Sequence, residues 1–203
     1  MTSTGSDAPR ARGSYAKGIA RRQEILDRAI EVFAERGARR TSLRAIAEEV
    51  GVTHAALTHY FGSLDELLVA VYRESERRGD ENPVAPPDTT PGESMRIAAQ
   101  ENRAVPGMVQ LYSTLVASAL EDDRPAAQEF AASRFARLRA EMAERVRELQ
   151  DAGRLRADVE PELVAALVIA ASDGLQTQWL LDPTVDHEAA LAMLDRLLAP
   201  PAD

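Results

Sequence analysis

Few residue types in this 203-residue chain can carry out covalent or redox chemistry. There is no cysteine, and the only histidines are His54, His59 and His187. Disulfides and thiolate metal sites are therefore excluded. His54 and His59 are five residues apart, about 140° around an α-helix, so they do not share a face as metal ligands. The sequence contains no glycine-rich phosphate loop, no Gly-x-Ser-x-Gly and no His-Glu-x-x-His. Asp122-Asp123 reads as the solvated start of a helix rather than as a catalytic acid pair. No catalytic residue, metal or cofactor is expected, and the chain does not read as an enzyme.

The residues do offer hydrogen bonding to nucleic acid. His54, Thr58 and His59 supply polar groups towards bases or phosphates, while Ala55 and Ala56 are small enough for a backbone to come close to DNA. They lie in TSLRAIAEEVGVTHAALTHYF, residues 41–61. Leu43, Ile46, Ala47 and Val50 fall at i, i+3, i+4 and i+7, one buried helical face. Gly51 makes a tight turn, and Thr53 can cap a second short helix through Tyr60. The first helix thus holds the second at an angle that lets its N-terminal end enter a major groove. Free N–H groups near Thr41 and Thr53 face phosphate oxygens.

Around this unit the chain reads as all-α, with about nine helices. The first runs from about Lys17 to Arg36, with Ile25, Leu26, Ala29, Ile30 and Phe33 as its apolar stripe. Ser63-Leu64-Asp65-Glu66 is a capping box that opens a fourth. Gly79 to Gly92 holds four prolines and reads as a long loop. Helices are then predicted over about Glu93–Asn102, Pro106–Leu120, Pro125–Ala152, Pro161–Leu181 and Val185–Leu198, with Pro106, Pro125 and Pro161 in first turns. The last two are apolar beyond what one body can bury. A homodimer joined through Leu163, Leu167, Leu175, Leu191, Leu194 and Leu198 is the expected use of that surface.

Charge divides along the chain. Residues 1–60 carry ten Lys or Arg against seven Asp or Glu, a net +3, and the remainder carries −12, which together give −9. A basic head on an acidic body approaches DNA in one orientation, although ordinary drift of surface charge gives the same split. The N-terminal MTSTGSDAPRARGSYAKG has no apolar core of a secretory signal, and no apolar run approaches the roughly 20 residues that span a bilayer. A cytoplasmic location is expected.

ILDRAIEVFAERG, TSLRAIAEEVGV and LTHYFGSLDELL resemble the DNA-binding domain of the TetR (tetracycline repressor-like) family, and DGLQTQWLLDP is similar to its dimerisation region. The resemblance implies a flexible arm at 1–16, a helix-turn-helix domain at 17–62, and a helical ligand-binding and dimerisation domain at 63–203. It implies phosphate contacts from Thr41 and Tyr60, a groove-facing set of His54, Ala55, Thr58 and His59, and Arg44 close to DNA. Two departures stand out: Leu64 occupies a position where the family often has a phosphate-gripping lysine, and Thr58 one where a tyrosine is common. The implied function is a repressor that binds a palindromic operator in double-stranded DNA and is released by a small molecule.

The effector reading rests on Tyr72, Met108, Tyr112, Phe130, Phe135, Asp173, Gln176 and Trp179. Each has a plainer role in core or interface packing; pocket lining is what the resemblance adds. The apolar stripes carry almost no Lys or Arg, so a neutral or cationic, largely apolar effector is expected, oriented by Tyr112, Gln176 or Asp173. Two alternatives stay open: a DNA-binding regulator without a small ligand, and a helical enzyme or interaction module.

Overall fold

The computed structural model describes residues 9–36, 43–80, 86 and 88–200. Among them are nine helices and no strand: α1 Pro9–Arg36, α2 Leu43–Val50, α3 His54–Phe61, α4 Leu64–Asp80, α5 Pro91–Ala104, α6 Pro106–Ser118, α7 Pro125–Asp151, α8 Pro161–Leu181 and α9 His187–Leu198. Local chemistry explains most boundaries. Thr53 accepts a hydrogen bond from the Ala56 N–H at 3.1 Å and so caps α3. Gly62, at φ 71°, ends it with its N–H on the Thr58 carbonyl. The Ser63 hydroxyl accepts from the Glu66 N–H at 3.1 Å and donates back to the Glu66 carboxylate at 3.4 Å.

Other ends shift by a residue or two, α6 ending at Ser118 and α9 starting at His187, and two departures from the sequence reading have a clear local cause. The first helix starts at Pro9, inside the segment read as an arm; Pro9 suits a first turn, and the stretch that follows has no further proline to stop a helix. The fifth starts at Pro91 rather than Glu93. Thr90 caps it by accepting from the Glu93 N–H, and Pro91, counted with the loop, is its first residue.

Two cores organise the helices. The first joins α1, α2 and α3 to α4, α6 and the start of α7, through Ile25, Phe33, Ile46, Leu57, Phe61, Leu67, Leu68, Val71, Leu111, Leu115 and Phe130. It runs across position 62 without a break. The second lies among α7, α8 and α9 around Met142, Val146, Leu149, Val164 and Val168, with Leu194 and Leu198 packed against it.

That second core corrects part of the expected dimer surface. Leu191 is 1% exposed, and Leu194 and Leu198 turn towards their own body. The outward apolar residues of α9 are Met193 and Leu197, and those of α8 are Leu163, Leu167 and Leu181, with Leu175 half-buried. α9 is apolar on two sides, so spacing alone could not say which side met its own chain. α8 also corrects the statement about bilayer length: its 21 residues are long and apolar enough to cross a membrane by composition. Its inner face, through Val164, Ala165, Val168 and Ile169, is buried inside the protein.

α5 and α9 meet at Gly92. The Asp195 carboxylate accepts from the Gly92 N–H and from the Thr90 hydroxyl, both at 2.8 Å, placing a negative charge at the α5 N-terminus. A Cβ on Gly92 would lie 2.5 Å from the Leu191 carbonyl oxygen and 2.6 Å from Asp195. Gly92→Ala should therefore force the two helices apart at a cost of about 1–3 kcal/mol. Calorimetry should show Tm lowered by several degrees, at roughly 2–4 °C per kcal/mol for a chain of this size.

Candidate nucleic-acid interface and effector site

α3 has two unlike faces. Leu57 and Phe61 are buried in the first core, and Arg22 of α1 caps the Phe61 ring at 4.8 Å. His54, Ala55, Thr58 and His59 are all exposed. The Thr58 hydroxyl donates to the His54 carbonyl at 3.0 Å, which leaves its oxygen lone pairs and methyl group for an outside partner. Tyr60 is half-buried, with its ring edge-on to His59 at 5.0 Å between centroids. On α2, Arg44 is exposed and pairs with Glu48 at 3.4 Å. Thr41 lies outside the described residues. Leu64 is half-buried against the core, so no phosphate anchor stands there.

The body contains a second polar constellation. Tyr72 of α4 stacks on Tyr112 of α6 at 5.4 Å and meets Phe130 of α7 edge-on at 5.4 Å. The Tyr112 hydroxyl donates to the Asp173 carboxylate of α8 at 2.8 Å. Met108 is buried in the same core and Phe135 packs against it. Gln176 and Trp179 are elsewhere: Gln176 bonds Asn102 and Ser172, and Trp179 lies edge-on to the buried His187 at 5.7 Å.

The residue that completes this constellation is one that sequence reasoning missed. Arg134 of α7 has its guanidinium over both tyrosines, 5.1 Å from the Tyr72 ring and 5.0 Å from Tyr112, and pairs with Glu76 of α4. Its side chain is only 16% exposed. The expectation that the interior-facing stripes offer no cation is thus corrected, since Arg134 is one, paired with Glu76. The two tyrosine rings stack directly on each other, with the Arg134 guanidinium over both. An open cleft of about 580 Å³ lies beside it between α4 and α7; of the expected pocket residues, Phe130 lines it. The signal was present in the spacing of Phe130, Arg134, Arg137 and Glu141, one face of α7, but arginine on a helix reads first as solvated.

Burial sets the protonation of the group. Desolvation pushes the Tyr72 hydroxyl up to about 12, and raises Tyr112 as well, helped by the adjacent Asp173 charge. Asp173 is itself raised by burial, an effect the Tyr112 hydrogen bond opposes. The Arg134 guanidinium stays charged beside Glu76. Among the described residues, no three His, Asp or Glu side chains gather as a metal site.

Residues 25–71 match the family model for bacterial regulatory proteins of the tetR family, and residues 100–200 match the model for the C-terminal region of BetI-type transcriptional repressors. The chain belongs to the TetR family. It is 28% identical over 178 residues to the HTH-type transcriptional repressor Rv1474c of Mycobacterium tuberculosis, spanning 87% of this chain and 90% of that one. Over 81 residues, 39% of this chain and 40% of the other, it is 40% identical to the HTH-type transcriptional regulator BetI of Brucella canis. A solved structure of the multidrug binding protein EbrR, complexed with imidazole, is similar at TM-score 0.63 and 28% identity, with 100% of both chains covered. The protein is therefore a TetR-family transcriptional regulator whose α2–α3 unit is a DNA-binding helix-turn-helix, and it is not an enzyme.

In this TetR-family body the Tyr112–Asp173 bond should be measurable. Tyr112→Phe removes the contact that holds the Asp173 carboxyl down, so its pKa, read by carbon-13 NMR, should rise further above the ordinary value. The folded state then favours protonated Asp173 more strongly. The variant should lose about 1–2 kcal/mol near neutral pH. Part of that loss should vanish as pH falls through the raised folded-state range of the Asp173 carboxyl, first in the variant and then in the parent protein, and so before the unfolded carboxylate range is reached.

Proposed function

We propose that this chain is a repressor that binds a palindromic operator as a homodimer and is released when a small molecule occupies the body. The observation that carries the DNA reading is the two-faced α3, with His54, Ala55, Thr58 and His59 outward over a buried Leu57 and Phe61. These four side chains enter the major groove, and Thr41, Thr53, Arg44 and Tyr60 meet the phosphates on either side. Repression, rather than activation, is supported by the named function of the Mycobacterium tuberculosis relative and by the repressor-type match over residues 100–200. The helix-turn-helix domain takes in residues 17–62, and its orientation is governed by the body at 63–203.

The dimer is supported by an outward apolar stripe. Leu163 is 59% exposed and Leu167 67% exposed, and Met193 and Leu197 continue the surface on α9. Two helices from each chain make a four-helix interface that sets the recognition helices roughly 34–36 Å apart, one turn of DNA. The effector acts by its difference in affinity between the DNA-competent spacing and another. It enters beside Phe130 in the α4–α7 cleft, where open space adjoins the aromatic cluster.

Two experiments test this reading. Footprinting on genomic fragments should protect a symmetric site, and affinity should fall with salt at a slope of about −0.9 per phosphate contact. Arg44→Ala should weaken binding to all sequences evenly, while His59→Ala should change preference at particular base pairs. Absence of any protected symmetric site sinks the repressor reading. Separately, the double variant Leu167→Glu, Leu197→Glu should run as a monomer in light scattering and lose operator binding. An unchanged dimer places the interface elsewhere.

A further inference from the structure

We propose that the effector is an organic anion, whose acid group takes the place of Glu76 on Arg134 and Arg137 in the α4–α7 cleft. The inference rests on the reading of this chain as an effector-controlled repressor, and deepens it by naming the ligand class. Arg73 and Arg77 face the cleft from α4, and Arg134 and Arg137 from α7, against two lining carboxylates, Glu76 and Glu141, with Arg77 also paired to Glu74. This is a positive island on a body that carries −12 beyond residue 60. A concave site of one sign concentrates ligands of the other. Phe130, 2% exposed, borders the cleft beneath Arg73, whose guanidinium lies 5.9 Å from its ring centre.

Glu76 is the internal stand-in for such an anion. It pairs with Arg134 and, at 3.5 Å, with Arg137. It does not satisfy the site: the Arg134 Nε is buried without a hydrogen-bond partner. A planar carboxylate engages a guanidinium through two parallel bonds, which one Glu76 oxygen does not. Exchange of one carboxylate for another leaves the buried charge of Arg134 compensated, and the displaced Glu76, already partly exposed, returns to water. A neutral ligand cannot make that exchange, and a cation meets the guanidinium groups of Arg134 and Arg137 in place of a carboxylate.

The exchange also reaches the DNA head. Glu76 sits on α4, which holds α1 through the Gln23–Glu74 bond at 3.1 Å and the Arg78–Asp27 pair. With Glu76 paired, α4 is tied to α7. With Glu76 released, α4 is free to shift and takes α1 with it.

The test uses the full-length protein and three matched probes: phenylbutyrate, phenylbutanol and phenylpropyltrimethylammonium. Isothermal titration calorimetry should show binding of the carboxylate alone. Arg137→Gln, at a half-exposed position, should weaken it at least tenfold, about 1.4 kcal/mol. Glu76→Gln, which removes the competitor, should tighten it several-fold, a gain that loosened packing would not produce. Equal binding of the alcohol or the ammonium, no binding of phenylbutyrate, or no gain in Glu76→Gln overturns the proposal. Fluorescence anisotropy on operator DNA, without probe, separates the two readings. Intact operator binding without carboxylate response sinks the anion proposal alone, and absent operator binding sinks the repressor reading.

Discussion

The DNA-binding head cannot hold itself together, and the rest of the molecule follows from that. α2 and α3 have eight residues each, well short of the length at which an isolated helix is stable in water. Their apolar residues need a wall. α1 gives part of it, and α4 gives the rest through Leu67, Leu68 and Val71, all essentially inaccessible to solvent. α4 is in turn walled on its far side by α6 and α7, through Leu111, Leu115 and Phe130. One continuous core therefore serves both the head and the body. A displacement of α4 relative to α6 or α7 is transmitted directly to the helix that reads DNA, because close-packed interiors shift as bodies rather than deform smoothly.

Polar contacts decide where along that core the two parts are registered. Asp65, buried at the start of α4, pairs with Arg124 at 3.2 Å, just ahead of α7. Glu76 pairs with Arg134 one helix face further on, and Glu74 and Arg78 bind α1. Arg77 and Arg78 hold Glu74 ionised, with its pKa pushed down to about 2. Such pairs add little net stability when partly buried, since desolvation offsets much of the attraction. Their effect is on geometry. Each disfavours arrangements in which a charge would be buried alone, and so fixes the register of α4 on α7.

Much of this architecture is legible in the sequence because it is written in local chemistry. Pro106, Pro125 and Pro161 mark first turns, Gly51 and Gly62 mark ends with positive φ, and the Ser63 box marks the start of α4. The outward set on α3 is what the family resemblance implies. The body's site was less legible for a physical reason. Arginine and glutamate on a helix cost nothing in water, so Arg134, Arg137 and Glu76 look like a solvated surface until α4 is laid against α7. Only the fold brings Arg134 over Tyr72 and Tyr112. The same holds for α9, where Leu191, Leu194 and Leu198 describe one apolar face, and Met193 and Leu197 another. Helical period identifies both faces and cannot rank them.

α8 carries the sharpest version of that ambiguity. By length and composition it could lie in a bilayer. Its polar residues argue otherwise, because of where each one points. Asp173 accepts from Tyr112, and Gln176 bonds Asn102 and Ser172, so both are satisfied on the side facing the body. On the outer side Leu163 and Leu167 share the exposed arc with Glu162, Thr177 and Gln178. A lipid-facing helix cannot leave a carboxylate and an amide in that arc without a costly desolvation. A partner helix can: apolar residues pack at its centre while polar ones reach solvent at the rim. The apolar excess that gives α8 the composition of a membrane span is therefore better matched to a protein surface than to lipid.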